Sequence, residues 1–137
     1  MGPIHSSKAT LRIFGDDVVP TEITRLLGSQ PTTARAKGET WVGAKSGKEI
    51  TAPTGNWRLE ASAREPEDLD RQVQELLGKL TQDLEVWTAL AQRFRVDLFC
   101  GLFMKSANEG AVLSSATLAA LGNRGIMLSL DIYDGSL

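Results

Sequence analysis

The chain has 137 residues, of which 42% are hydrophobic and 23% charged, and its formal net charge at pH 7 is -2. A chain of this length can bury most of its unfolded surface in one core, so one folded domain is expected. The slightly acidic balance gives no field for a nucleic acid backbone, and the longest apolar stretch, residues 96–104, is too short to cross a bilayer. We therefore expect neither nucleic acid nor membrane as a partner.

The first eight residues, MGPIHSSK, carry no hydrophobic periodicity and no cleavage signal. We predict that residues 1–8 form a disordered leader or cloning remnant, and that residues 9–137 form a single α+β domain. The one histidine, His5, falls in this leader, which argues against Ser-His-Asp, Cys-His and histidine-based metal sites. The sequence thus predicts no catalytic residue, no metal and no cofactor.

The first predicted elements are a strand, a short helix and a hairpin. Residues 9–14 alternate apolar and polar side chains, as a half-buried strand does. Residues 20–28, PTEITRLLG, place a proline where a helix begins and a glycine where it ends. Residues 32–55 are rich in glycine, lysine and threonine, which indicates edge strands or a hairpin with a loosely ordered tip at 44–53.

The second half of the chain alternates strands with helices. Apolar side chains recur at two-residue spacing in the strands and at helical spacing between them. The predicted elements in chain order are a strand in 55–62, helices in 65–80 and 81–94, a buried strand in 95–105, a helix in 114–122, and a last strand in 125–134.

This order of elements indicates an α+β fold, with helices on one face of a mainly antiparallel sheet. A ferredoxin-like core with an added strand-helix unit is the leading topology. Trp57, Trp87 and Cys100 are assigned to the core. A lone cysteine can form no intramolecular disulfide, which favours a reducing cytoplasm as the location.

Strand alternation predicts a mixed face on the side of the sheet away from the helices. If Leu11, Leu59 and Leu130 point towards the helices, polar and aromatic side chains point the other way. A solvated face with cross-strand ion pairs, a dimer interface and a ligand surface are all consistent with this composition. The candidate interface or ligand residues on this face are Arg12, Phe14, Arg58, Asp131 and Tyr133.

The segment 28–41 is interpreted either as a turn or as part of a site. Gly28 ends the preceding helix and Pro31 prevents it from resuming, which is sufficient for a turn. Its side chains nevertheless suit an anion, because arginines bind carboxylates and phosphates in a fork and an indole packs on an apolar group. In that hypothesis Arg58 joins three residues of the segment, namely Arg35, Lys37 and Trp41.

Short motifs along residues 9–134 resemble a bacterial family, domain of unknown function 4279. They occur in the order Leu27-Gly28, Pro31-Thr32, Lys37-Gly38, Trp57 and Asp131-Ile132-Tyr133. The resemblance implies a small bacterial cytoplasmic protein and carries no activity that could be transferred residue by residue.

Two functional hypotheses follow from the sequence. The first is a non-enzymatic protein-interaction or self-associating module, whose partner is a second copy or an unidentified protein. The alternative is a small anionic-ligand-binding protein, with or without weak enzymatic activity. The first requires an exposed binding face, and the second requires a cavity in which the basic residues meet.

Overall fold

The computed structural model describes residues 2–135, which form four helices and nine strands. The predicted α+β class is confirmed, as are the strand and helix assignments from residue 9 onward. The elements are β1 (Gly2–Pro3), β2 (Ser6–Gly15), α1 (Pro20–Leu27), β3 (Thr33–Arg35), β4 (Thr40–Val42), β5 (Glu49–Thr51), β6 (Gly55–Glu60), α2 (Leu69–Gly78), α3 (Leu84–Arg93), β7 (Arg95–Met104), β8 (Glu109–Gly110), α4 (Ser115–Asn123) and β9 (Met127–Asp134).

Five strands form the main sheet, in the order β3-β6-β2-β7-β9. The first three neighbouring pairs are antiparallel, and only β7 and β9 run parallel. Helix α4 connects β7 to β9, which are direct neighbours, whereas a ferredoxin-like core has a split β-α-β unit with another strand between the two. The sheet is therefore mainly antiparallel, as predicted, but its strand order departs from the ferredoxin-like core.

The helices cover one side of the sheet, called here the inner face. Alternate residues of the central strands, such as Ile13 on β2 and Leu98 on β7, are buried there against apolar residues of the helices. Trp57, Trp87 and Cys100 are fully buried, which confirms their assignment to the core. The other side, called the outer face, carries the intervening residues, among them Arg12, Phe14, Arg58 and Tyr133.

Residues 2–8 belong to the fold, so the predicted disordered leader is wrong for this part of the chain. Ile4 is buried, and Ser7 is fully buried at the start of β2. The Ser7 hydroxyl donates to Gln72 Oε1 at 2.7 Å, and Gln72 Nε2 donates to the Ser7 carbonyl at 2.9 Å. A partner on α2, distant in sequence, thus satisfies a polar residue that breaks the hydrophobic pattern. Met1 lies outside the described residues, as do residues 136–137 of the predicted domain.

Leu130 lies on the inner face, as expected, but it is not buried. Leu130 pairs with Cys100 and shares its face of the sheet, but its side chain is 49% exposed. The reason is that β9 is an edge strand, so no further strand covers it on one side. Leu11 and Leu59, on inner strands of the sheet, are buried as predicted.

Candidate functional site

The outer face is built around a buried ion pair between β2 and β7. Arg12 Nε and Nη2 donate to the two oxygens of Asp97, at 2.8 and 2.6 Å. The Asp97 side chain is 0% exposed, and it also accepts a hydrogen bond from Ser129 Oγ at 3.0 Å. Asp97 is not among the residues predicted for a site, although a carboxylate within the apolar run RVDLFCGLFM is a signal for one.

Arg58 lies directly opposite Arg12 on the neighbouring strand and has no carboxylate of its own within ion-pairing distance among residues 2–135. Its guanidinium is placed 5.4 Å from the centroid of the Phe14 ring, a cation-π contact. Burial, followed by the neighbouring positive charge of Arg12, lowers the pKa of Arg58. The residue is thus a partly desolvated cation whose hydrogen-bond donors remain available.

A cavity of about 420 Å³ opens on this face beside Arg58. Its floor is formed by β3, β6 and β2, where Arg35 pairs with Asn56, and Asn56 with Phe14, across the sheet. The β4–β5 hairpin and the residues after it form one wall. Its lining residues include Phe14, Arg35, Trp41, Thr54, Asn56 and Arg58.

Arg35 reaches the cavity from the edge strand β3. Its guanidinium lies 4.6 Å from the centroid of the Trp41 ring, so the hairpin strand β4 holds it in place. Nη1 donates to the Ala34 carbonyl at 3.2 Å, while the buried Nε has no hydrogen-bond partner. A buried N–H without an acceptor is costly, so Arg35 is not fully satisfied by its contacts among the described residues.

Lys37 does not join the two arginines. Its Nζ pairs with Asp16 at 3.1 Å, and Thr54 Oγ1 donates to the same carboxylate at 2.9 Å. These contacts lower the pKa of Asp16, with the hydrogen bond from Lys37 as the largest cause. The structure therefore brings together Arg35, Arg58 and Trp41 of the predicted anion site, and places Lys37 outside the lining of the cavity.

Asp131 and Tyr133 lie on β9, at the far side of the outer face from the cavity. The Tyr133 hydroxyl donates to Asp131, and this hydrogen bond raises the pKa of Tyr133. The tyrosine ring stacks on Phe103 with the ring centroids 4.9 Å apart. The eight predicted site residues thus do not form one site. They divide into cavity residues, two ion-paired cations and two residues of β9, namely Phe14, Arg35, Trp41 and Arg58, then Arg12 and Lys37, then Asp131 and Tyr133.

The cavity combines two guanidinium groups with apolar walls, and none of its described lining residues is acidic. Such a site can hold an anionic group by forked hydrogen bonds and pack an apolar group beside it. Elsewhere in residues 2–135, no cluster of three or more His, Cys, Asp or Glu side chains is arranged for a metal ion. None of the helices in that range is long and apolar enough to span a membrane.

Fold and cavity define a small α+β protein with a cationic pocket on the uncovered face of a mixed sheet. Sequence comparison matches residues 5–135 to the family described as Domain of unknown function (DUF4279), and the chain belongs to that family. The match begins before residue 9, in agreement with the structured start of β2. No curated protein and no solved structure matched the chain.

Proposed function

We propose that the chain is a small anionic-ligand-binding protein, and that its ligand carries a carboxylate or phosphate group held by Arg35 and Arg58. The observation that carries this proposal is the meeting of these two arginines in one cavity without a lining carboxylate. The volume of about 420 Å³ falls within the usual range for small-molecule sites.

The charges around the cavity favour the binding of an anion. Arg12 is paired with Asp97, whereas the two cations that line the cavity, Arg35 and Arg58, have no hydrogen-bonded carboxylate among the described residues. An anion would offset the repulsion between Arg58 and Arg12 and would accept from the open N–H groups. Charge-assisted hydrogen bonds of this kind are shorter and stronger than neutral ones.

The walls of the cavity support a ligand with an apolar part. Phe14, Trp41 and Pro53 line the cavity beside the two arginines. Burying apolar surface against such walls adds affinity that an inorganic anion cannot gain. Phenyl phosphate and benzoate are therefore suitable probes, and we expect both to bind more tightly than inorganic phosphate.

Thermal unfolding with these probes tests the proposed site. At a concentration one hundred times the dissociation constant, a bound probe should stabilise the native state by about 2.7 kcal/mol. Arg58→Gln should remove the stabilisation, whereas Arg71→Gln, an equal charge change on the exposed side of α2, should retain it. Benzyl alcohol, which lacks the anionic group, should have no effect. Equal responses of both variants, or no response of the wild type to any anion, would contradict the proposal.

A protein-interaction module is the second candidate function. It is supported by Tyr133, which stacks on Phe103 and is 48% exposed at the side of the outer face away from the cavity. Exposed aromatic side chains are enriched at protein interfaces. For a partner bound there, Tyr133→Ala should abolish binding and leave the response to phenyl phosphate unchanged, which separates the two candidates.

A bacterial, cytoplasmic location completes the proposal. The cytoplasmic location is supported by the single cysteine, Cys100, which is free and fully buried and whose pKa burial raises to about 12. Such a cysteine packs as a small hydrophobic residue and needs no oxidising compartment.

A further inference from the structure

Between Met127 and Tyr133, one side of the β9 backbone pairs with no other strand in the part of the chain that the structure describes. Strand β9 is the last strand of the sheet and pairs only with β7 among residues 2–135. Edge strands are usually protected from other chains by charged side chains, above all lysine, by proline or by a bulge. β9 has the sequence MLSLDIYD, whose only charged residues are two aspartates and which contains neither proline nor lysine, and its register with β7 is continuous from Met127 to Asp134.

Apolar side chains are exposed along this edge. Leu130 is 49% and Ile132 57% exposed, and both share the inner face with the core residue Cys100. A strand added to the edge would cover these two side chains and satisfy the free backbone groups. The opposite edge of the sheet, β3, offers only three residues and borders the cavity. The β9 edge is thus remote from the proposed ligand site and independent of it.

We propose that β9 pairs in antiparallel fashion with β9 of a second copy of this chain, centred on Leu130. In a continuous sheet, directly opposite side chains point to the same face, so inner-face residues must lie opposite inner-face residues. The register can therefore shift only in steps that move each residue to a partner two positions along the other strand. Two registers pair nearly the whole strand with itself, one centred on Leu130 and the other on Asp131.

Charge selects between these registers. Centring on Asp131 places the two Asp131 carboxylates directly opposite each other, which is destabilising. Centring on Leu130 places Leu130 opposite Leu130 and Leu128 opposite Ile132, so apolar side chains meet on the inner face. On the outer face the same register places Ser129 opposite Asp131, which avoids the repulsion.

Light scattering of the full chain at micromolar concentration tests the dimer. The wild type should have twice the mass of one chain, while Leu130→Lys and Leu130→Asp should each be monomeric because like charges would face each other. An equimolar mixture of the two variants should restore the dimer mass, since lysine then faces aspartate. Both variants should keep a cooperative thermal transition, because Leu130 is half exposed. A monomeric wild type or a monomeric mixture would overturn the proposal.

Cysteine cross-linking tests the register. Directly opposite residues on antiparallel strands have Cα atoms about 4.5 to 5.5 Å apart, within the range of a disulfide. Mild oxidation should therefore link Leu130→Cys into a covalent dimer, whereas Ile132→Cys should form little, because each copy faces Leu128 of the other. Both variants also carry Cys100→Ala, because Cys100 lies directly opposite Leu130 on β7 and would compete for the introduced thiol. Equal cross-linking of the two, or more for Ile132→Cys, would overturn the Leu130 register.

Discussion

Asp97 holds the residues of the outer face in their positions. Its carboxylate accepts two hydrogen bonds from Arg12 and one from the Ser129 hydroxyl. The Arg12 guanidinium in turn lies 4.3 Å from the centroid of the Phe99 ring and 4.8 Å from that of the Phe14 ring. One buried carboxylate thus fixes a cation, and that cation orders two aromatic rings. Phe14 then contacts Arg58, which connects the ion pair to the cavity.

Asp97→Asn should destabilise the fold by about 3 kcal/mol, because removing one charge of a buried pair leaves the other uncompensated. Urea unfolding followed by circular dichroism measures this loss. Asp16→Asn is the matched control, since the Asp16–Lys37 pair is exposed and should leave the free energy of unfolding nearly unchanged. Similar values for the two variants would show that the Arg12–Asp97 pair does not stabilise the outer face.

The ends of the helices depend on local capping signals that can be recognised in the sequence. The short helix α1 ends where Gly28 adopts a φ of 82°, and the Gly28 N–H donates to the Thr24 carbonyl. Asp68, Asp83 and Ser114 cap the other three helices by accepting hydrogen bonds from backbone N–H groups in the first turn. These signals mark the ends of the helices, and the spacing of the apolar side chains explains why both helices and strands could be predicted from the sequence.

Gly28→Ala should destabilise the fold by about 1 kcal/mol, because an alanine is strained in the left-handed conformation. A Cβ added at Gly28 would meet no atom within 4 Å, so the cost comes from the backbone alone. Gly78→Ala is the comparison, since Gly78 lies at the end of α2 without a left-handed φ and also has free space. That variant should be neutral or slightly stabilising. Equal losses for both in thermal unfolding would rule out this explanation of how α1 ends.

Long-range contacts could not be predicted in the same way. Ser7 and Gln72 are polar, so the alternation at the start of β2 was interrupted, and only the fold shows that they satisfy each other. The parallel placement of β9 beside β7 likewise depends on how α4 crosses the sheet. Local propensity contains no information about either contact.

At the scale of the whole molecule, the proposed ligand site and the free edge lie at opposite ends of one sheet. Alternation correctly assigned Arg12, Phe14 and Arg58 to the outer face. It could not show which residues meet, because the β4–β5 hairpin brings Trp41 over Arg35 while Lys37 turns away to Asp16. The hairpin therefore decides the composition of the cavity, and its position is a tertiary property.

Nuclear magnetic resonance of the arginine Nε–Hε groups tests the central claim, that Arg35 and Arg58 together bind an anion. During a titration with phenyl phosphate, the resonances of Arg35 and Arg58 should shift together and saturate with one dissociation constant. Arg71, on the exposed side of α2, should keep its resonance unchanged. Shifts that grow without saturation in all three arginines, or no shift in Arg35 and Arg58, would contradict the proposed site.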